Sequence, residues 1–171
     1  ESLLQLTNYA AAREHLQLAC DDDALPFRTD SRINAIIRQE SKKTGDTNLV
    51  LFDAASALAA QAPEDICGQE TFFEHVHFNF DGNYRLGRAW AEQVAGLLPP
   101  EIARLAATNG WASPAACNLR LGLSDWNRSL IIKHMIGRLE QPPLSSQLDN
   151  AGRIKTLQRR VDELNSRMNA V

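Results

Sequence analysis

Apolar residues recur along most of this chain at the three- and four-residue spacing of a helix, and one short stretch departs from it. Leu3, Leu6, Ala10, Leu16, Ala19 and Cys20 share a stripe, predicting an amphipathic helix over residues 2–20 that ends at Asp21-Asp22-Asp23 and Pro26. A second helix starts at Asp30 or Ser31, both good N-caps, carries Ile33, Ile36 and Ile37, and stops at Thr44-Gly45-Asp46. Leu49-Val50-Leu51-Phe52 is the exception: four apolar residues between turn formers, the pattern of a buried parallel strand. Asp53 follows at its C-terminal end, where open α/β sheets bind ligands.

A short helix is predicted from Ala54 to Ala62, halted by Pro63, and Glu64 to Asp81 shows no period and reads as a loop. Gly82 to Leu98 is helical again, with Leu86, Trp90, Val94 and Leu97 set to face inward, and Pro99-Pro100 marks a domain boundary. Everything beyond reads as helix. Glu101 to Thr108 forms one, Asn109-Gly110 breaks it, and Ser113-Pro114 opens the next with a cap and a proline at the first helical position. Ser124 or Asp125 caps a third, with Trp126, Leu130, Ile131, Met135 and Ile136 expected to be buried, ending at Gln141-Pro142-Pro143. The last helix carries Ile154, Leu157, Val161, Leu164 and Met168, a heptad seam of about two repeats. Coiled coils sustain three or four repeats, so this seam is expected to dock on a neighbouring helix.

Composition narrows the class without naming it. Hydrophobic content of 44% and charge of 23% suit a globular chain, and no apolar run approaches the length of a membrane-spanning helix. Cys20, Cys67 and Cys117 are odd in number and form no CxxC pair, which argues against a disulfide framework or zinc knuckle and for buried free thiols. The net charge of −3 is uneven: residues 1–100 hold 8 basic and 15 acidic side chains, residues 101–171 hold 10 and 6. The absence of an initiating Met fits a fragment of a longer protein, in which case targeting information lies outside it and the compartment stays open.

Chemistry concentrates in Phe72-Phe73-Glu74-His75-Val76-His77-Phe78-Asn79-Phe80, a loop among phenylalanines just before a helix. Apolar surroundings perturb titrating groups, and loops on a packed scaffold are where catalytic groups sit. His75 and His77 in extended backbone could share a metal with Glu74, but zinc needs three or four ligands and no others are evident, so no metal or cofactor is predicted. Glu74 and His77, three apart, make the better partnership. The carboxylate can reach Nδ1–H of the imidazole, fix its tautomer and leave Nε2 to accept a proton. A histidine bonded only to backbone is the plain alternative.

Phe73 to Tyr84 (FEHVHFNFDGNY) resembles the last motif block of SGNH (GDSL) hydrolases, in which an Asp-x-x-His pair supplies acid and base, and Leu49 to Ala54 resembles the strand before that block. Ala12 to Ile37, Gly122 to Arg128 and Arg138 to Leu148 are similar to a bacterial subgroup that joins such a domain to tetratricopeptide-like helices. The resemblance implies an α/β fragment that is predominantly helical: the last strand and final helices of a flavodoxin-like domain, then a helical extension. It divides the chain into a tetratricopeptide-like helix at 1–24, an SGNH-like part at 25–100 and the extension at 101–171. It implies His77 as general base and Glu74 as its orienting acid, in hydrolysis or transfer of an acyl group through an acyl-serine, with carbohydrate esters as the analogous substrate class. Glu74 stands where the pattern more often has Asp, although Glu serves as triad acid in other hydrolases. No Gly-Asp-Ser block precedes Leu49, so the chain is expected to be inert by itself.

Two readings compete with this one. Ala112 to Met135 has the outline of a helix-turn-helix, but Trp126, Leu130 and Ile131 point to a buried helix, and no nucleic-acid partner is predicted. The chain could instead be a non-catalytic helical module that binds a protein partner, with His75 and His77 structural. The oligomeric state is left open.

Overall fold

The structure is a computed structural model that describes residues 2–24, 26–43, 45, 49–105 and 110–170. The described residues form α-helices, two 3-10 turns and no strand, so the predominantly helical class holds. By compactness the chain divides into two units, Glu1–Asn109 and Gly110–Val171.

In the first unit the expected opening helix is two: α1 (Ser2–Gln5) and α2 (Tyr9–Asp21). Thr7 takes a left-handed φ of 58°, and the Asn8 side chain then caps α2 by accepting from the Ala11 N–H at 3.3 Å. Asp21, at the end of α2, accepts from both the N–H (2.8 Å) and the hydroxyl (2.6 Å) of Ser31, which begins α3 (Ser31–Lys43). Asp30 caps α3 through the Ile33 N–H. The predicted stop at Thr44 and Asp46 lies outside the described residues.

The expected buried strand does not form. Leu49, Val50 and Leu51 lie in no regular element and are 50%, 44% and 37% exposed. A parallel strand needs neighbours to take its backbone hydrogen bonds, and the described residues offer none. Asp53 instead caps α4 (Ala54–Ala59) through the Ser56 N–H and pairs with Arg38 of α3 at 2.7 Å. The hydrogen bond from Arg38, aided by the Ser56 N–H, outweighs partial burial and lowers the Asp53 carboxyl to about 2.

Phe80–Ala95 is α5, two residues earlier at its start than the glycine suggested. Its buried face also differs from the prediction: Gly82 and Ala89 are covered, while Trp90, Val94 and Leu97 are 47%, 49% and 55% exposed. Close approach to the loop and to α4 selects the small residues, and the large ones are left outward. Trp90 meets Phe52 edge-on, with ring centroids 4.7 Å apart. A short α6 (Pro100–Ala103) follows; the rest of the predicted 101–108 helix and its break at Asn109 fall largely outside the described residues.

The second unit begins with α7 (Pro114–Arg120), capped by Ser113 as predicted. Ser124 opens α8 (Asp125–Leu139) with a reciprocal capping box to Asn127. The heptad seam of α9 (Asn150–Asn169) buries Leu157, Val161 and Leu164 against α8. On α8 the buried stripe is Ser129, Ile132, Met135, Ile136 and Leu139. Trp126, Leu130 and Ile131, expected inside, are 59%, 37% and 41% exposed. Both stripes are apolar, and the seam of α9 covers only one, so burial no longer argues against a helix-turn-helix reading of α7 and α8. Polar contacts fix the hairpin as antiparallel: Arg167 Nε donates to Asp125 Oδ2 at 2.8 Å at one end, and Asn150 Nδ2 to the Leu139 carbonyl at 3.0 Å at the other. Between them the Ser129 hydroxyl donates to Asn165 Oδ1 at 3.1 Å.

Candidate active site

The predicted loop folds back on itself as a tight, hairpin-like turn. Phe72 and Phe78 form an antiparallel bridge, the Phe73 N–H donates to the His77 carbonyl at 2.8 Å, and the Asn79 N–H donates to the Thr71 carbonyl at 2.9 Å. The Phe72 and Phe78 rings stack at 4.6 Å, and Phe73 meets Phe80 edge-on at 5.6 Å. Ring packing thus closes a turn whose tip is Glu74, His75 and Val76.

Asn79 joins this turn to α5. Its side-chain oxygen accepts from the Gly82 N–H at 2.8 Å, a helix cap, and its amide donates to the Gln69 carbonyl at 2.8 Å. A methyl group at Gly82 would collide with the Thr71 carbonyl. Glycine is therefore needed there for close approach and not for turn conformation. The Asn-x-x-Gly spacing before a helix carried the signal for the cap, but nothing local marked the contact of Gly82 with Thr71.

Glu74 fills the inside of the turn. Its Oε2 accepts from the Val76 N–H at 2.6 Å and its Oε1 from the His77 N–H at 3.0 Å. Oε1 also meets Nδ1 of His77, so the structure brings together the two predicted site residues by the predicted ring nitrogen. The Glu74 side chain is 1% exposed and that of His77 is 41% exposed. Burial alone would raise the Glu74 carboxyl. The His77 ring and the Val76 and His77 N–H groups outweigh it and hold the group below the usual glutamate range.

The arrangement fixes proton positions. A carboxylate at Nδ1 places the ring proton there, so neutral His77 presents the Nε2 lone pair outward. No described residue hydrogen-bonds to Nε2. His75 lies on the other side of the carboxylate, with Nδ1 at 3.2 Å from Oε2 and its ring edge-on to Phe27 at 5.7 Å. The described residues contain no cluster of three or more metal-type ligands. A groove between α4 and α5, lined by Phe52, Ala57, Ala89 and Leu97, does not include Glu74 or His77.

A buried carboxylate thus holds one nitrogen of a half-open imidazole, and among the described residues no hydrogen bond engages the other. Set against known proteins, the chain matches no family model, no curated protein and no solved structure.

Proposed function

We propose that residues 1–171 carry the acid–base half of an SGNH-type ester hydrolase or acyltransferase, with the nucleophilic serine supplied by sequence outside this chain. The supporting observation is the buried Glu74 carboxylate held on Nδ1 of a half-exposed His77. In this reading His77 Nε2 takes the proton of a serine hydroxyl as its oxygen attacks an ester carbonyl. The proton passes to the departing alkoxide, leaving an acyl-serine and an alcohol. Water, or an acceptor hydroxyl, then gives its proton to Nε2 as it attacks the acyl carbon, and the serine is restored. Glu74 stabilises the transient imidazolium. Carbohydrate esters are the substrate class that the family likeness favours.

The same reading gives a role to exposed apolar residues. Leu49 to Phe52 becomes the last strand of a flavodoxin-like sheet, paired with strands outside this sequence. The outward Trp90 and Val94 of α5, with Leu97 just beyond its end, become the surface that such a sheet covers.

The test uses the natural protein that joins this chain to the proposed serine segment, with p-nitrophenyl acetate as substrate. His77→Ala lowers kcat at least about a thousandfold while far-UV circular dichroism is unchanged. Retained turnover would refute His77 as base.

A second reading, a non-catalytic interaction module, draws on Leu119, Leu121 and Trp126, which are 84%, 79% and 59% exposed in the second unit. It expects a protein partner whose affinity falls on Leu121→Ser and is indifferent to His77→Ala.

A further inference from the structure

The Glu74 carboxylate faces two imidazoles. Oε1 has the His77 N–H and His77 Nδ1; Oε2 has the Val76 N–H at 2.6 Å and His75 Nδ1 at 3.2 Å. Each oxygen therefore sees one backbone donor and one ring nitrogen. The symmetry matters because the terminal torsion of a glutamate is broad and roughly two-fold, so its rotamer preference does not fix the carboxylate plane. The Val76 N–H restrains Oε2 through a single bond, and rocking about that bond still moves Oε1 off Nδ1.

His75 is suited to prevent that. Its side chain is 18% exposed against 41% for His77, and Phe27 holds the ring edge-on at 5.7 Å. One imidazole is thus the more enclosed, and the other has the more open side chain. We infer that His75 is a positioning residue: its Nδ1, facing Oε2, sets the plane of the Glu74 carboxylate so that Oε1 stays on Nδ1 of His77. His75 touches no reacting atom. Its catalytic consequence rests on the reading of His77 as base, whereas the geometric statement concerns this chain alone.

The test exploits ring geometry. An asparagine side-chain amide nitrogen can occupy the place of Nδ1, a glutamine amide nitrogen matches Nε2, and phenylalanine keeps the ring without a donor. His75→Asn, His75→Gln and His75→Phe are made in the 171-residue chain and followed by 15N-edited NMR of the His77 ring. The expected result is a downfield Nδ1 proton on His77 in the native chain and in His75→Asn, lost or moved upfield in His75→Gln and His75→Phe. The Val76 and His77 amide signals report whether the turn is intact. If His75→Phe disperses them, the contrast between His75→Asn and His75→Gln decides. In the serine-bearing protein, His75→Phe should lower kcat about tenfold with KM unchanged, and His75→Asn should restore it.

An unchanged His77 Nδ1 proton in both His75→Gln and His75→Phe overturns the inference and leaves the Glu74–His77 pair standing. Retained turnover in His77→Ala instead overturns the catalytic reading, and the NMR contrast still decides the positioning.

Discussion

In the α8–α9 hairpin the most buried residues are Leu139, Ile132 and Val161, at 0%, 1% and 1% exposure, whereas in the turn around Glu74 they are Thr71, Asn79, Phe73 and Glu74, at 1%, 3%, 5% and 6%. Three of those four can hydrogen-bond through their side chains. The hairpin is thus ordered by apolar volume, a non-directional force that tolerates small shifts. The turn is ordered by directional bonds to one carboxylate and one amide, which hold atoms in place more strictly and fail more abruptly. A site that must keep a proton on a chosen nitrogen needs the second kind of order.

Three measurements would break or sharpen that contrast, the largest effect first. Leu139→Ala removes a fully buried side chain from the hairpin and should lower its unfolding free energy by about 3 kcal/mol in urea titrations followed by circular dichroism. A loss below about 1 kcal/mol would mean that the hairpin does not depend on its seam. Gly82→Ala comes next. Its methyl group meets the Thr71 carbonyl, so α5 and the turn must separate, at a cost of about 1–3 kcal/mol. The Asn79 and Thr71 amides should lose hydrogen-exchange protection, and unaltered protection would show that the approach is not close.

The smallest effect is acid sensitivity. The folded Glu74 carboxyl lies below its ordinary value of 4.5, so ionised Glu74 favours the folded turn. That contribution is complete above about pH 4.5 and is lost as pH falls through the depressed value. On acidification the Val76 and His77 amide signals should collapse, and Glu74→Gln should remove the pH dependence that begins at about pH 4.5 and runs down through the depressed value. A Glu74→Gln chain whose turn responds to acid as the native chain does would count against the carboxylate as its organiser.

Some of this was legible in the residues because its causes are local. The caps Ser113, Ser124 and Asp30 act within one turn of backbone. The seam Leu157, Val161, Leu164 was marked by spacing alone, since helix geometry puts such residues on one face whatever covers them. The Glu74–His77 pairing was legible for the same reason: three residues of chain limit where the carboxylate can go. What misled was apolar character without a partner. Leu49 to Phe52, Trp90 and Trp126 have the composition of a core, but composition does not say which surface lies opposite.

The sequence by itself determined the helical class, most helix starts, the pairing seam of α9 and the contact between Glu74 and His77, all set by interactions within a few residues. Tertiary structure alone decided which stripe of α8 is covered, why Gly82 has no side chain, and that His75 stands against the second oxygen of Glu74. These depend on surfaces distant in sequence or on the path of a folded turn, and burial is a property of the pair of surfaces that meet.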